Sequence, residues 1–236
     1  MKIFFVPFNR KYYLIIGSIA MIIILIFTVF FLLSKASQTT FKPIYEADTG
    51  RNEISLTCNV VWGTEYVPIM LDILKGEGVK MTFFIGGKWA EDNPELLKRI
   101  YQEGHEIGNH GYDHKKHSQL NDSDNTQEIL DAENAIKDIL GIKTTFFAPP
   151  YGDINDRTVE LAESLGYKVI MWNIDTIDWK NKDPQVIYDR VLKKDLKGGI
   201  VLMHPTEGTV KALPSIIKDI KERNVNIVTI SELIKA

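Results

Sequence analysis

The chain has 236 residues, 44% hydrophobic and 25% charged, enough for one sizeable core and too few for two. Its net charge is −3, but residues 1–50 balance to +3 and leave −6 on the remainder, which argues against nucleic acid or another polyanion as the main partner. The single cysteine, Cys58, excludes an internal disulfide and a cysteine-built zinc ribbon, so a metal site must be built from His, Asp, Glu or Asn.

Leu14 to Leu33 is twenty residues of nearly unbroken apolar sequence. At 1.5 Å per residue that is about 30 Å, the thickness of a bilayer core. Arg10 and Lys11 precede it and only Lys35 follows closely, with Tyr12 and Tyr13 at the interface position. The bias predicts a cytoplasmic tail over 1–11, a transmembrane helix over 12–33 and a main domain outside the cell membrane. A cleaved signal peptide competes, because Ser34-Lys35-Ala36 offers small residues at suitable spacing. Signal cores are shorter, however, at about 7–15 residues. Residues 34–50 read as a polar linker without periodicity.

From Glu53 the pattern alternates. Strands are expected at Glu53–Val61, Lys80–Ile85, His105–Asn109, Thr144–Ala148, Lys168–Trp172, Gly199–Met203 and Asn226–Thr229. Helices are expected at Tyr66–Glu77, with Pro68 in its first turn and Gly78 beyond its end, and at Pro94–Glu103, Asp124–Leu140, Asn155–Leu165, Pro184–Leu192 and Leu213–Arg223, with Ser231 capping a last turn. Seven strands alternating with helices over 51–236 imply a parallel sheet, closed or open. Chemistry in such folds gathers at the carboxyl ends of strands.

The informative polar residues fall there. The third strand runs into Asn109-His110-Gly111-Tyr112-Asp113-His114. If residues 111–117 coil into a helical turn, His110 and His114 share a face and reach one cation. Imidazole pairs suit zinc and its first-row neighbours, although two surface histidines at this spacing also arise by chance. The first strand ends Thr57-Cys58-Asn59-Val60-Val61-Trp62 and the fourth in Pro149-Pro150-Tyr151-Gly152; the fifth leads into Asp175-Thr176-Ile177-Asp178-Trp179 and the sixth into His204-Pro205. A metal pair, a third histidine and acids to orient it suit metal-assisted hydrolysis of an amide or ester.

These ordered motifs resemble those of the polysaccharide deacetylases, the NodB-homology carbohydrate esterases, and most of all their membrane-anchored, sporulation-type bacterial members, over about residues 50–236. The resemblance implies an α/β fold, a distorted seven-stranded (β/α) barrel of NodB type. It implies removal of N-acetyl groups from peptidoglycan or a related N-acetylhexosamine glycan. By the same likeness His110 and His114 hold a divalent metal, zinc by preference, His204 is the general acid, and Asp178 orients it. The Tyr151 amide helps bind the oxyanion, while Pro150, Tyr151, Trp179 and Trp62 border the sugar.

The pattern also breaks. The family's strand-one motif ends Thr-Phe-Asp-Asp, a base followed by a metal ligand, and here Asn59 and Val60 stand in those places. Ala148 stands where the family has an arginine that braces the base. Asn59 can hydrogen-bond a water but takes no proton at neutral pH, and loss of base help costs about 10²–10⁴-fold. Asn59, Asp113 and His117 are the candidates for a third ligand. Three readings follow: an atypical, impaired deacetylase in which metal-bound hydroxide or His204 covers for the missing base, a glycan-binding pseudoenzyme, and a membrane-tethered structural partner.

Bland alternatives remain for single residues. His204 before a proline is also what a satisfied core histidine looks like; His105 reads as structural, His117 as solvated, and Cys58 as a small buried hydrophobe. Asp175 and Asp178 also suit turn-capping, and the three aromatics suit packing as well as sugar stacking.

Overall fold

The computed structural model describes residues 9–36, 42–48 and 50–235, which divide into two compact units, 1–41 and 42–236. In the first unit, helix α1 (Arg10–Ala36) exposes Tyr13 and the apolar residues that follow it to Val29. Among the described residues no helix is long and apolar enough to cross a membrane. The span expected over 12–33 is therefore not established by the structure, and most of the tail expected over 1–11 lies outside the described residues.

The second unit is built on parallel strands β1 (Glu53–Val60), β2 (Thr82–Ile85), β3 (Glu106–Asn109), β4 (Phe146–Phe147), β5 (Lys168–Val169), β6 (Ile174–Asp175), β7 (Ile200–Met203) and β8 (Asn226–Val228). Their order is β5-β4-β3-β2-β1-β7-β6, with β8 added to β1. The sheet curls into a half-barrel, and no pairing of β5 with β6 closes it among the described residues. Part of the expected linker lies across that gap. Ile44 bridges Ile170 and Glu46 bridges Gly199, so the domain starts near Lys42 rather than at 51.

Helices α2 (Val67–Glu77), α3 (Gly87–Asp92), α4 (Pro94–Gln102), α5 (Asp122–Leu140), α6 (Asp156–Ser164), α7 (Pro184–Leu192) and α8 (Glu207–Glu222) accompany the strands, and α9 (Ile230–Leu233) ends the chain. Because strand side chains alternate, Ile54, Leu56, Cys58 and Val60 of β1 join the core shared with α2, α4, α7 and α8. Phe84, Phe146, Ala148 and Ile200 belong to a separate inner cluster that includes Ile230 and Leu233 of α9. The floor of the half-barrel is polar but paired. Thr82 Oγ1 donates to Glu106 (2.7 Å), which accepts from Ser231 N (3.2 Å), while Ile230 N donates to Thr82 Oγ1 (3.0 Å). With α9 closing that end, the open end is the rim at the strands' carboxyl termini.

Several sequence expectations shift. Helix α8 begins at Glu207, capped by Thr206, rather than at Leu213, and it carries Pro214 inside. The cost of an interior proline, about 3 kcal/mol, is offset by eight buried residues along α8. Strand β6 and the short α3, which starts on two glycines, have no clear sequence signal. Thr229, not Ser231, caps α9, in a box with Glu232.

His105 is structural, as expected: it is buried against Phe83 (centroids 5.2 Å apart) and its Nδ1 accepts from Met81 N at 3.3 Å. Burial, then Lys80, push its pKa down to about 4. The unfolded imidazole takes its proton near 6.5, so the unfolded state binds more protons between these values. Stability contributed by neutral His105 is full above pH 6.5 and falls as pH drops toward 4. Urea titrations of wild type and His105→Leu should therefore diverge above pH 6.5 and converge toward pH 4, by an amount on the order of 1–3 kcal/mol.

Candidate active site

Every motif singled out from sequence arrives at the open rim, around a cleft of about 560 Å³. Asn59, His110, His114, Asp175 and His204 supply its polar lining, and Trp62, Tyr151, Trp172, Trp179 and Leu202 its apolar lining.

His110 is buried, and its Nδ1 lies 2.6 Å from the Ala148 carbonyl oxygen. A carbonyl only accepts, so Nδ1 carries the proton and Nε2 keeps its lone pair, the tautomer of a metal-ligating histidine. Burial, followed by the field of His114, holds the His110 pKa well below the usual imidazole range. Burial, then His204, lower that of His114. Both are neutral at pH 7, the ligating form.

The two rings lie 5.1 Å apart, inclined at 55°, but not by the expected route. Residues 111–116 form no helical turn. Gly111 (φ +72°) and His114 (φ +56°) both take left-handed backbone, and this folds a loop that brings the imidazoles together. His117, expected in solvent, is fully buried; its Nδ1 sits 2.5 Å from Asn125 Oδ1 and its ring packs on Phe147. It is turned toward α5 and is no ligand as placed. Asp113 lies beside Lys115 (3.3 Å).

Val60 belongs to the outer core, fully buried among apolar side chains, and offers no ligand. Among the described residues no cluster of three or more His, Cys, Asp or Glu could hold a metal. The donor set thus fits a divalent cation at His110 and His114 and lacks a third anionic or imidazole ligand. The remaining oxygen on the cleft floor is Asn59 Oδ1, buried and without a hydrogen-bond partner.

The opposite wall is complete. Asp178 is 1% exposed; its Oδ1 lies 2.8 Å from His204 Nδ1, and its Oδ2 accepts from His204 N and Thr209 Oγ1, both at 2.6 Å. Three donors fix this carboxylate, which fixes the imidazole tautomer and leaves Nε2 for the cleft. Trp62 stacks on the His204 ring at 5.5 Å and 9°. Thr209 has no place in the sequence reading because the start of α8 was expected at Leu213; Thr206-x-x-Thr209 is the capping signal that could have found it.

Tyr151 holds a left-handed backbone (φ +61°), a strained state for a non-glycine residue of the kind found at functional sites, and its ring lies 4.4 Å from that of His114. Tyr151, Trp179 and Trp62 are exposed. Pro150 is buried close to Gly111 and is not among the residues lining the cleft. Asp175 both lines the cleft and caps its turn, accepting from Ile177 N at 2.8 Å.

Residues 46–170 match the polysaccharide deacetylase family model. The chain belongs to this family. It is 37% identical over 192 residues to the uncharacterised protein YlxY of Bacillus subtilis, covering 81% of this chain and 60% of that one. To a peptidoglycan-N-acetylglucosamine deacetylase of Bacillus cereus it is 34% identical over 186 residues, covering 77% of this chain and 68% of the relative. The fold is also similar to the crystal structure of a CE4 family pseudoenzyme from Bacillus anthracis, with a TM-score of 0.81 and 38% identity over 83% of this chain and 70% of that one. A mutant of that protein, described as having restored enzymatic activity, superposes equally well (TM-score 0.81, 36% identity, 83% and 72% coverage). The chain thus spans well under two thirds of YlxY's length and little more than two thirds of the B. cereus enzyme's.

Gly63 sets the wall that carries Trp62. Its φ is +69°, and a Cβ there would lie 2.0 Å from the Pro205 carbonyl oxygen. Gly63→Ala must shift the backbone next to His204. It is expected to cost on the order of 2–3 kcal/mol in urea unfolding and to change the emission of Trp62, since the stack on His204 cannot persist.

Proposed function

We propose that this protein binds N-acetylated cell-wall glycan, peptidoglycan or a related N-acetylhexosamine polymer, in the cleft and hydrolyses its acetamido groups slowly or not at all. The observation that carries this reading is Asn59. Its amide oxygen, buried and unpaired, stands where the family's strand-one motif places the base. An amide accepts a hydrogen bond from water but not its proton, so the step that generates a nucleophile lacks its acceptor. Ala148, buried in the inner cluster, is consistent with that loss, since no carboxylate at 59 needs bracing.

Sugar recognition falls to Tyr151, Trp179 and Trp62, whose exposed rings border the cleft and suit the apolar faces of hexoses. A divalent cation at His110 and His114, when bound, would polarise the acetyl carbonyl. His204, held by Asp178, would protonate the leaving amine, and the Tyr151 backbone amide would steady the developing oxyanion. That intact acid wall favours the second reading, an impaired metal-dependent deacetylase. The restored activity described for a mutant of the B. anthracis relative supports the same view of a site a few residues short.

The membrane assignment is part of the proposal. Residues 12–33 anchor the protein by a single pass in a bacterial cell membrane with the main domain extracytoplasmic. The twenty-residue apolar run, the Arg10–Lys11 flank and the helix at Arg10–Ala36 support it.

Two measurements on the full-length protein test the reading. Isothermal titration with an N-acetylated chitooligosaccharide should show binding, weakened about threefold to tenfold in Trp179→Ala by loss of one ring face. Acetate release in excess zinc should be near background for wild type and rise in Asn59→Asp, by up to about 10²–10⁴-fold. Wild-type turnover equal to that of the B. cereus deacetylase would sink the proposal, as would absence of glycan binding.

A further inference from the structure

We infer that Glu128 is a positioning residue for the imidazole pair: its buried carboxylate, reaching from α5, fixes the amide and lysine donors around His114, on a loop whose start is also held by Gly87 N and Lys88 N donating to the Gly111 and Tyr112 carbonyls (2.9 and 3.2 Å). The inference rests on the reading that these two histidines hold a divalent cation.

The loop needs an external anchor. Residues 111–116 have neither helix nor strand bonding of their own, yet both ligand candidates sit on this stretch or at its edge. Glu128 lies within α5, its side chain 5% exposed. Its Oε2 accepts from Tyr112 N at 3.1 Å and Asp113 N at 2.9 Å, and its Oε1 from Lys115 Nζ at 2.5 Å. These donors precede and follow His114 in the chain, so the carboxylate clamps the loop on both sides of that residue. Its Oε2 would lie 3.7 Å from a Cβ at Gly111, which places the acid under the turn that starts the loop. Three donors to one acid, two of them backbone amides, satisfy a buried charge that would otherwise be costly.

Charge adds to geometry. Val60 supplies no carboxylate ligand, and Glu128 brings a buried carboxylate against the loop that carries His114. A negative charge there favours a cation on the imidazoles, reduced by the pairing with half-exposed Lys115. Tyr112 makes a second contact on its outer side, where its hydroxyl donates to Glu91 at 2.8 Å; that bond touches the loop without supporting its backbone.

The test is zinc titration by calorimetry on the full-length protein in detergent, with cobalt(II) absorption as the readout of ligand geometry. Glu128→Gln keeps one acceptor oxygen and loses the charge; it should weaken zinc about tenfold, and Glu128→Ala about a hundredfold. The cobalt bands of both variants should shift or fade. Glu91→Gln should match wild type, and His110→Ala should abolish binding. If Glu128→Ala does not fold, Glu128→Gln carries the test, with folding checked by its urea midpoint. Wild-type zinc affinity in folded Glu128→Gln, alongside loss in His110→Ala, overturns the role of Glu128 alone. An equal loss in Glu91→Gln also overturns it, because any loop contact would then suffice. Zinc binding unchanged in His110→Ala, or absent from wild type, removes the metal reading and this inference with it.

Discussion

The position of β1, paired along both edges, constrains the rest of the domain. Ser55 pairs with Ile200 of β7 and with Val228 of β8, and further along Thr57 pairs with Leu202 and with Thr82 of β2. A strand bonded on both sides cannot slip by one residue without turning its buried face outward. Cys58 and Val60 are thereby committed to the outer core, and Ser55, Thr57 and Asn59 to the inside. Parallel register carries the same alternation to Phe84 and Gly108, level with Asn59. Neighbouring strands then bring their ends, with His110 and His204, to one rim.

That constraint gives the substitutions at 59 and 60 different consequences. Asn59 faces the cleft, where on the proposed reading its amide stands in place of a proton acceptor. Val60 faces helices, where an apolar side chain is well accommodated and a carboxylate would need rescue by a partner. Position 60 has become part of the packing. Position 59 has not, since its buried oxygen is left without a partner, an arrangement that normally costs about 1–3 kcal/mol unless water or a ligand satisfies it.

Much of this was legible in the chain. Strand–helix alternation gave the parallel sheet, and motif order gave the residues of the rim. What escaped was of two kinds. Short elements without periodicity, such as β6 and α3, are held by neighbours rather than by local preference, so nothing local announces them. The other kind is conformational. An i, i+4 histidine pair suggests a helix face, yet the rings converge because Gly111 and His114 adopt positive φ. His114 tolerates that backbone because bonds from outside the loop hold it, and long-range partners such as Glu128 cannot be read from spacing. His117 escaped for the same reason: polar neighbours in sequence suggest solvent, while Asn125 and Phe147 bury it.

The charge distribution of the cleft completes the physical picture. Asp178 is saturated by three donors, and Asp175 has one oxygen engaged by Ile177 N. The imidazoles of His110 and His114 are kept neutral chiefly by burial. With Asn59 in place of an acid, the floor presents dipoles and ring faces in place of a free carboxylate. Such a surface offers no acceptor for a water's proton, which the proposed hydrolysis requires, but it suits an uncharged, hydroxyl-rich ring, which it could take up without desolvating an ion. On the proposed reading, the substitution that weakens the chemistry therefore leaves recognition of neutral sugar largely intact.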